Sequence, residues 1–174
     1  MAELRAWVLA QLLCNPQQDD RALIREFLEG YYGPAGKPIE SYLDLVQNAS
    51  KGFNLTCSSP RSVPFLDFKT LADAARLWQE AEQAVAGDAV LLPRVRMAHL
   101  PIRYVWLARW DALRKDCAAA GSAWPLSESR HAVAEEFRTV AAGIADKPWT
   151  KVTIMNEGGW TPAAFLSDVE AHGG

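Results

Sequence analysis

Apolar residues recur three and four positions apart along most of the chain, the spacing that gathers side chains on one face of a helix. Leu4, Trp7, Val8 and Leu12 make the first such face, in a helix that begins almost at Met1 and ends before "NPQQDD". Pro16 forbids continuation there and pushes Asn15 into extended backbone. Asp19 or Asp20 then caps a second helix, whose apolar side carries Leu23, Ile24, Phe27, Leu28 and Tyr31. Gly33 is expected to close it in a left-handed conformation, and Pro34 cannot extend its last turn. "KPIESYLDLVQNA" predicts a third helix, with Pro38 in the first turn and Ile39, Tyr42, Leu43 and Val46 facing inward.

Residues 50–68 break the pattern and predict a long irregular loop, folded over the bundle by Phe53, Phe65 and Phe68. A fourth helix follows over 69–86 with Leu71, Ala74, Ala75, Trp78 and Val85 in phase, and Gly87 ends it. Asp88 can cap the longest and most central helix, predicted over 89–119, where the interior Pro101 should kink it near Met97. "WPLSESRHAVAEEFRTVAAGIA" predicts a sixth helix, capped by Ser127 or Ser129. "KVTIMN" reads as a short extended piece, and a last helix is expected over 161–170. The pattern is an all-α helical bundle of about six or seven helices, read as a single domain over residues 1–174.

Composition narrows the class. At 174 residues, 49% hydrophobic and 22% charged, the chain is long enough and apolar enough to bury a core. A net charge of −3 and a pI near 5.6 exclude a broad basic surface for nucleic acid or anionic membrane. "WVLAQLLC", residues 7–14, is too short to span a bilayer and lacks a cleavage signature. An export signal is therefore expected upstream of this sequence if the parent protein is periplasmic or extracellular, and the compartment itself is unknown. The three cysteines, Cys14, Cys57 and Cys117, are odd in number and far apart, which argues against a disulfide framework or a zinc site. They are expected to be buried free thiols. "NAS" at Asn48 and "NLT" at Asn54 match the short glycosylation pattern.

Familiar catalytic patterns do not occur. His99, His131 and His172 have no paired spacing, and there is no nucleophile elbow, phosphate loop or CxxC. The sequence therefore assigns no catalytic residue, metal ligand set or cofactor. Asp19–Asp20 and Glu135–Glu136 are adjacent on helices and point in different directions, as caps and solvated faces do. "EFLEGYYGPAG" raises one binding candidate. Tyr31 continues an apolar face while Tyr32 lies about a hundred degrees round, so one ring should be core and the other should cover the turn. An exposed Tyr32 would suit carbohydrate. "MNEGGWTP" raises a second, since Asn156, Glu157 and Trp160 resemble a binding loop. They equally make a helix entry with Thr161 as cap and Pro162 in first position. The candidate carbohydrate contacts are Tyr32, Asn156 and Trp160.

The stretch "LRAWVLAQLLCNPQQDDRALIREFLEGYYGPAGKPIESYLDLV", residues 4–46, resembles the helical region that follows the catalytic barrel in a family of bacterial glycoside hydrolases, a resemblance that covers residues 4 to about 47 well. It is a domain-of-unknown-function family whose characterised relatives include endo-β-N-acetylglucosaminidases. The shared elements are a helix ending in "LLCNP", an acidic spacer, "FLEGYYGPAG", and a helix with "YLDL". "RVRMAHLPIRYVWL" at 94–107 is a weaker echo, and similar arrangements follow the barrels of α-glucuronidases. In such enzymes the acid and the base or nucleophile come from the barrel, at the ends of its strands. This chain has no alternating strand–helix pattern to build that barrel, so no catalytic residue carries over. The resemblance implies a noncatalytic module, excised from or following a catalytic barrel, with that barrel and carbohydrate as partners. The alternative is a free-standing helical interaction or oligomerisation domain. An excised module should keep an apolar face, best placed on the first helix at Trp7, Leu9 and Leu13 and extended by Trp149 and Trp160, and should be a homodimer or aggregation-prone at high concentration.

Overall fold

A computed structural model describes residues 1–54, 56, 63–127, 129–145 and 167, with backbone alone at 144 and 145. The described residues form helices α1 (Ala2–Cys14), α2 (Asp20–Tyr32), α3 (Gly36–Ala49), α4 (Phe68–Ala84), α5 (Leu91–Ala108), α6 (Trp110–Ala119) and α7 (Arg130–Ala145), with a 3-10 turn at Gly33–Ala35. Among them there is no strand, so the fold is the expected helical bundle. The chain divides into two compact units, Met1–Ala98 and His99–Gly174, and the division falls inside α5.

Local chemistry places most of the boundaries. Asn15 ends α1 in extended backbone (φ −148°, ψ 98°), as Pro16 requires. Asp19 caps α2, its carboxylate accepting from the Arg21 amide at 2.9 Å and the Ala22 amide at 3.3 Å. Asp67 does the same for α4 through Thr70 N at 2.7 Å, and Asp88 accepts from Val90 N and Leu91 N at 2.8 Å each. The loop expected over 50–68 ends earlier, because Phe68 already opens α4. Phe53 and Phe65 meet across it with ring centroids 5.3 Å apart.

In the first unit α1 packs on α2, α2 on α3, and α3 on α4. Leu28, Tyr32, Ile39, Trp78, Ala81, Val85 and Val95 form its buried centre, and Leu4 ties α1 to it. Burying a large apolar side chain stabilises by about 1.5–3 kcal/mol, so this stripe carries the unit. The excess of apolar residues on α1 is not absorbed. Leu9 and Leu13 face water, 60% and 84% exposed. Cys14 is also exposed, contrary to expectation, because it ends α1 beyond the reach of α2; Cys117 is buried and its thiol donates to the Ser122 carbonyl at 3.1 Å. Cys57 lies outside the described residues.

The second unit is centred on Leu100, Leu107, Trp110, Val133, Ala134, Phe137 and Ala141. The single helix expected over 89–119 is two. Helix α5 continues through Pro101, whose ring is exposed, and the break comes at Arg109 (φ −119°, ψ 20°). No glycine or proline marks that position, so the break belongs to packing. Trp106, Leu107, Trp110 and Leu113 on either side of it are all buried. Trp124 meets the edges of Trp106 and Trp110 at 5.2 and 5.0 Å, with the Arg114 guanidinium 4.6 Å from its centroid. Ser129 caps α7, its hydroxyl oxygen accepting from Ala132 N at 3.2 Å. The extended piece at "KVTIMN" and Trp149 lie outside the described residues, as does the last expected helix apart from Ser167, which is helical.

Candidate functional site

The stretch with most potential for chemistry is the corner between α2 and α3. Its shape comes from two glycines. Gly33 ends α2 with φ 55° and ψ −131°. The sign of φ is the expected one, but ψ lies outside the left-handed helical range, in backbone space that L side chains avoid. Three residues on, a Cβ added to Gly36 would lie 2.8 Å from the Leu28 carbonyl oxygen, so α3 starts against the backbone of α2 itself. Pro34 sits between them in the 3-10 turn, where its missing amide costs nothing.

The paired tyrosines then take opposite parts. Tyr32 is the core ring, 1% exposed, with its edge toward Tyr31 at 4.9 Å and toward Phe27 at 6.3 Å. The exposed Tyr32 that a sugar contact needs is therefore not there: the last turn of α2 aims position 32 into the bundle. Tyr31 is half-buried. Its ring stacks on Phe27 at 5.0 Å, and the Arg94 guanidinium lies 4.4 Å from its centroid. The same guanidinium donates to the Tyr31 carbonyl at 3.0 Å. Trp7 extends the row, 5.7 Å from Phe27. A ring covered this way holds α1, α2 and α5 together and has little face left for a ligand. Asn156 and Trp160 lie outside the described residues.

The electrostatics agree with a packing role. Burial pushes the Tyr32 hydroxyl well above its ordinary value of 10.0, helped by the Glu3 carboxylate and by Tyr31 and opposed by Arg94. Tyr31 is raised by burial and then by Glu3, again against Arg94. Burial alone pushes Tyr42 up to about 12. Phenols held protonated in this way are weak bases and weak nucleophiles at neutral pH.

Outside the ring cluster, the corner opens to a cleft of about 270 Å³, lined by Arg25, Leu28, Glu29, Gly33, Pro34, Gly36, Lys37 and Glu40. Ligand sites usually start near 300 Å³ and are mainly apolar. Two bases and two acids here present no dominant charge. Elsewhere, buried His99 accepts at Nδ1 from Arg103 Nε at 3.2 Å, and Arg103 also pairs with Glu136. His131 is exposed near the start of α7, and His172 lies outside the described residues. Among the described residues no group of three or more His, Cys, Asp or Glu is placed to hold a metal, and no helix is long and apolar enough to cross a membrane.

Sequence reasoning missed Gly36 and Arg94. The first had a readable sign, two glycines three apart around a proline. The second did not, since Arg94 meets Tyr31 from 63 positions away.

A family model described as a domain of unknown function (DUF4838) matches residues 1–44, which is α1, α2, the 3-10 turn and the first two turns of α3. No curated protein and no solved structure matches the chain.

Proposed function

We propose that this chain is a noncatalytic helical module of a carbohydrate-active enzyme, and that it supports or shapes the substrate cleft of that enzyme's catalytic barrel. The observation behind this reading is how the α2–α3 corner uses its residues. The segment that resembles the post-barrel region of glycoside hydrolases is also the segment matched by the family model. Its distinctive "GYYGPAG" serves architecture: Tyr32 fills the core, Tyr31 is clasped by Phe27 and Arg94, and Gly36 lets two helix backbones touch. Such a corner suits a rigid support for a site built elsewhere. Glycoside hydrolysis needs two carboxyl groups on either side of the scissile bond, and in this reading the barrel supplies both.

The test has two parts. Antibodies to the chain should detect, in the native organism, a polypeptide much larger than 19.2 kDa that hydrolyses N-glycan, chitobiose-type or glucuronide substrates. The purified 174-residue chain should show no turnover of the same substrates. A native polypeptide of 19.2 kDa without glycosidase activity would overturn the reading. So would turnover by the chain alone that a single acidic substitution abolishes.

A second reading, a free-standing interaction or oligomerisation domain, draws on the exposed leucines of α1.

A further inference from the structure

Helices α2 and α3 run antiparallel, and two contacts fix their register. Arg21 pairs with Asp44 at 2.7 Å, and Gly36 lies against the Leu28 carbonyl. One turn in from the Arg21–Asp44 pair, the same register sets Arg25 across from Glu40. One turn further, it sets Glu29 across from Lys37. Each rung joins a cation to a carboxylate, yet only the first is closed. Among the described residues, the side chains of Arg25, Glu29, Lys37 and Glu40 have no ion-pair or hydrogen-bond partner. The two open rungs flank the cleft of about 270 Å³, whose wall at the corner, Gly33, Pro34 and Gly36, carries almost no side chain.

We propose that this cleft binds a neutral polyol the size of one sugar ring. Round its rim donors and acceptors alternate: Arg25 and Lys37 only donate, and the Glu29 and Glu40 carboxylates only accept. A charged ligand would meet two groups of its own sign at short range. A hydroxyl both donates and accepts, so adjacent hydroxyls on one ring can satisfy a cation and a carboxylate together. The exposed Pro34 ring offers an apolar surface to the C–H face of such a ligand. The volume takes one ring and not a longer chain, and it falls below the range of larger ligands. An open polar cleft gains little per ligand atom, so the affinity lies in the millimolar range. This inference does not rest on a parent enzyme. Its test reads binding by this chain alone, so its failure leaves the module reading standing.

Glucose, glucosamine and glucuronate share one ring and differ in charge. Each is titrated into the purified 174-residue chain at slightly acid pH, where the amine is charged. Glucose should shift the amide NMR signals of residues 33–40, and the two charged sugars should bind several-fold more weakly. Arg25→Ala with Glu40→Ala should weaken glucose binding about tenfold, with helicity by circular dichroism unchanged. Glu29→Ala with Lys37→Ala, at two exposed positions, should do the same. Arg21→Ala with Asp44→Ala is the matched control on the closed rung and should leave the affinity as it is. Corner signals that no sugar moves would overturn the inference. So would tighter binding of a charged sugar, or a loss on the closed rung equal to that on the open ones.

Discussion

Gly36 stands where any side chain would strike Leu28: an added Cβ would lie 2.8 Å from the Leu28 carbonyl oxygen and 2.9 Å from its carbonyl carbon. Both are main-chain atoms of α2, so no rotamer change relieves the contact. Gly36→Ala should cost about 1–3 kcal/mol, as overpacking does. Gly30→Ala is the matched control, because nothing lies within 4 Å of its added Cβ and it sits inside α2. It should gain about 0.5–1 kcal/mol from the lower chain entropy. Urea midpoints of the two variants should therefore move in opposite directions.

Gly33 poses a different problem. Its added Cβ would meet Leu91 Cδ1 at 2.9 Å, but that methyl ends a flexible side chain and can swing away. The backbone cannot, with φ at 55° and ψ at −131°. Gly33→Ala should lose about 1–3 kcal/mol, nearly all of it strain. Trimming Leu91 to alanine in the same chain should recover little of the loss. Full recovery would show that the methyl contact, and not the backbone, sets the cost.

Alkaline pH should act through Tyr32 and Tyr42. Both hydroxyls are raised above 10.0 by burial, so folding favours their protonated forms. Their contribution is complete below pH 10 and is lost as pH climbs through the folded values, near 12 for Tyr42. Tyrosinate absorbance from these two rings should appear only as helicity falls. Replacing both by phenylalanine should flatten the alkaline loss of stability.

Acid should expose the cap of α5. The Asp88 carboxyl is held below its ordinary value of 3.8, first by the Leu91 amide and then by the Val90 amide. A depressed value means the contribution is present above pH 3.8 and disappears as pH falls through the folded value. Asp88→Ala should lower the thermal midpoint at neutral pH, and its gap from the parent should close in strong acid. A gap constant down to the lowest pH would mean that the carboxylate does not supply the cap.

The sequence by itself determined the helical class and most helix ends. Pro16, Asp19, Gly33, Asp88 and Ser129 act within one turn of backbone, so their effects can be read from neighbouring letters. Tertiary structure decided what depends on remote partners. It chose Tyr32 over Tyr31 for the core, because the bundle lies on one side of the last α2 turn. It broke the long helix at Arg109, where Trp106, Leu107, Trp110 and Leu113 on either side are buried and no glycine or proline marks the place. Arg94 reached Tyr31, and Gly36 became indispensable, only once α5 and α3 had packed on α2. On α1 the sequence showed too many apolar residues for one stripe. Only packing decided that Leu9 and Leu13 are the ones left in water, because α1 turns Leu4, Trp7 and Val8 toward the core and Leu9 and Leu13 away from it.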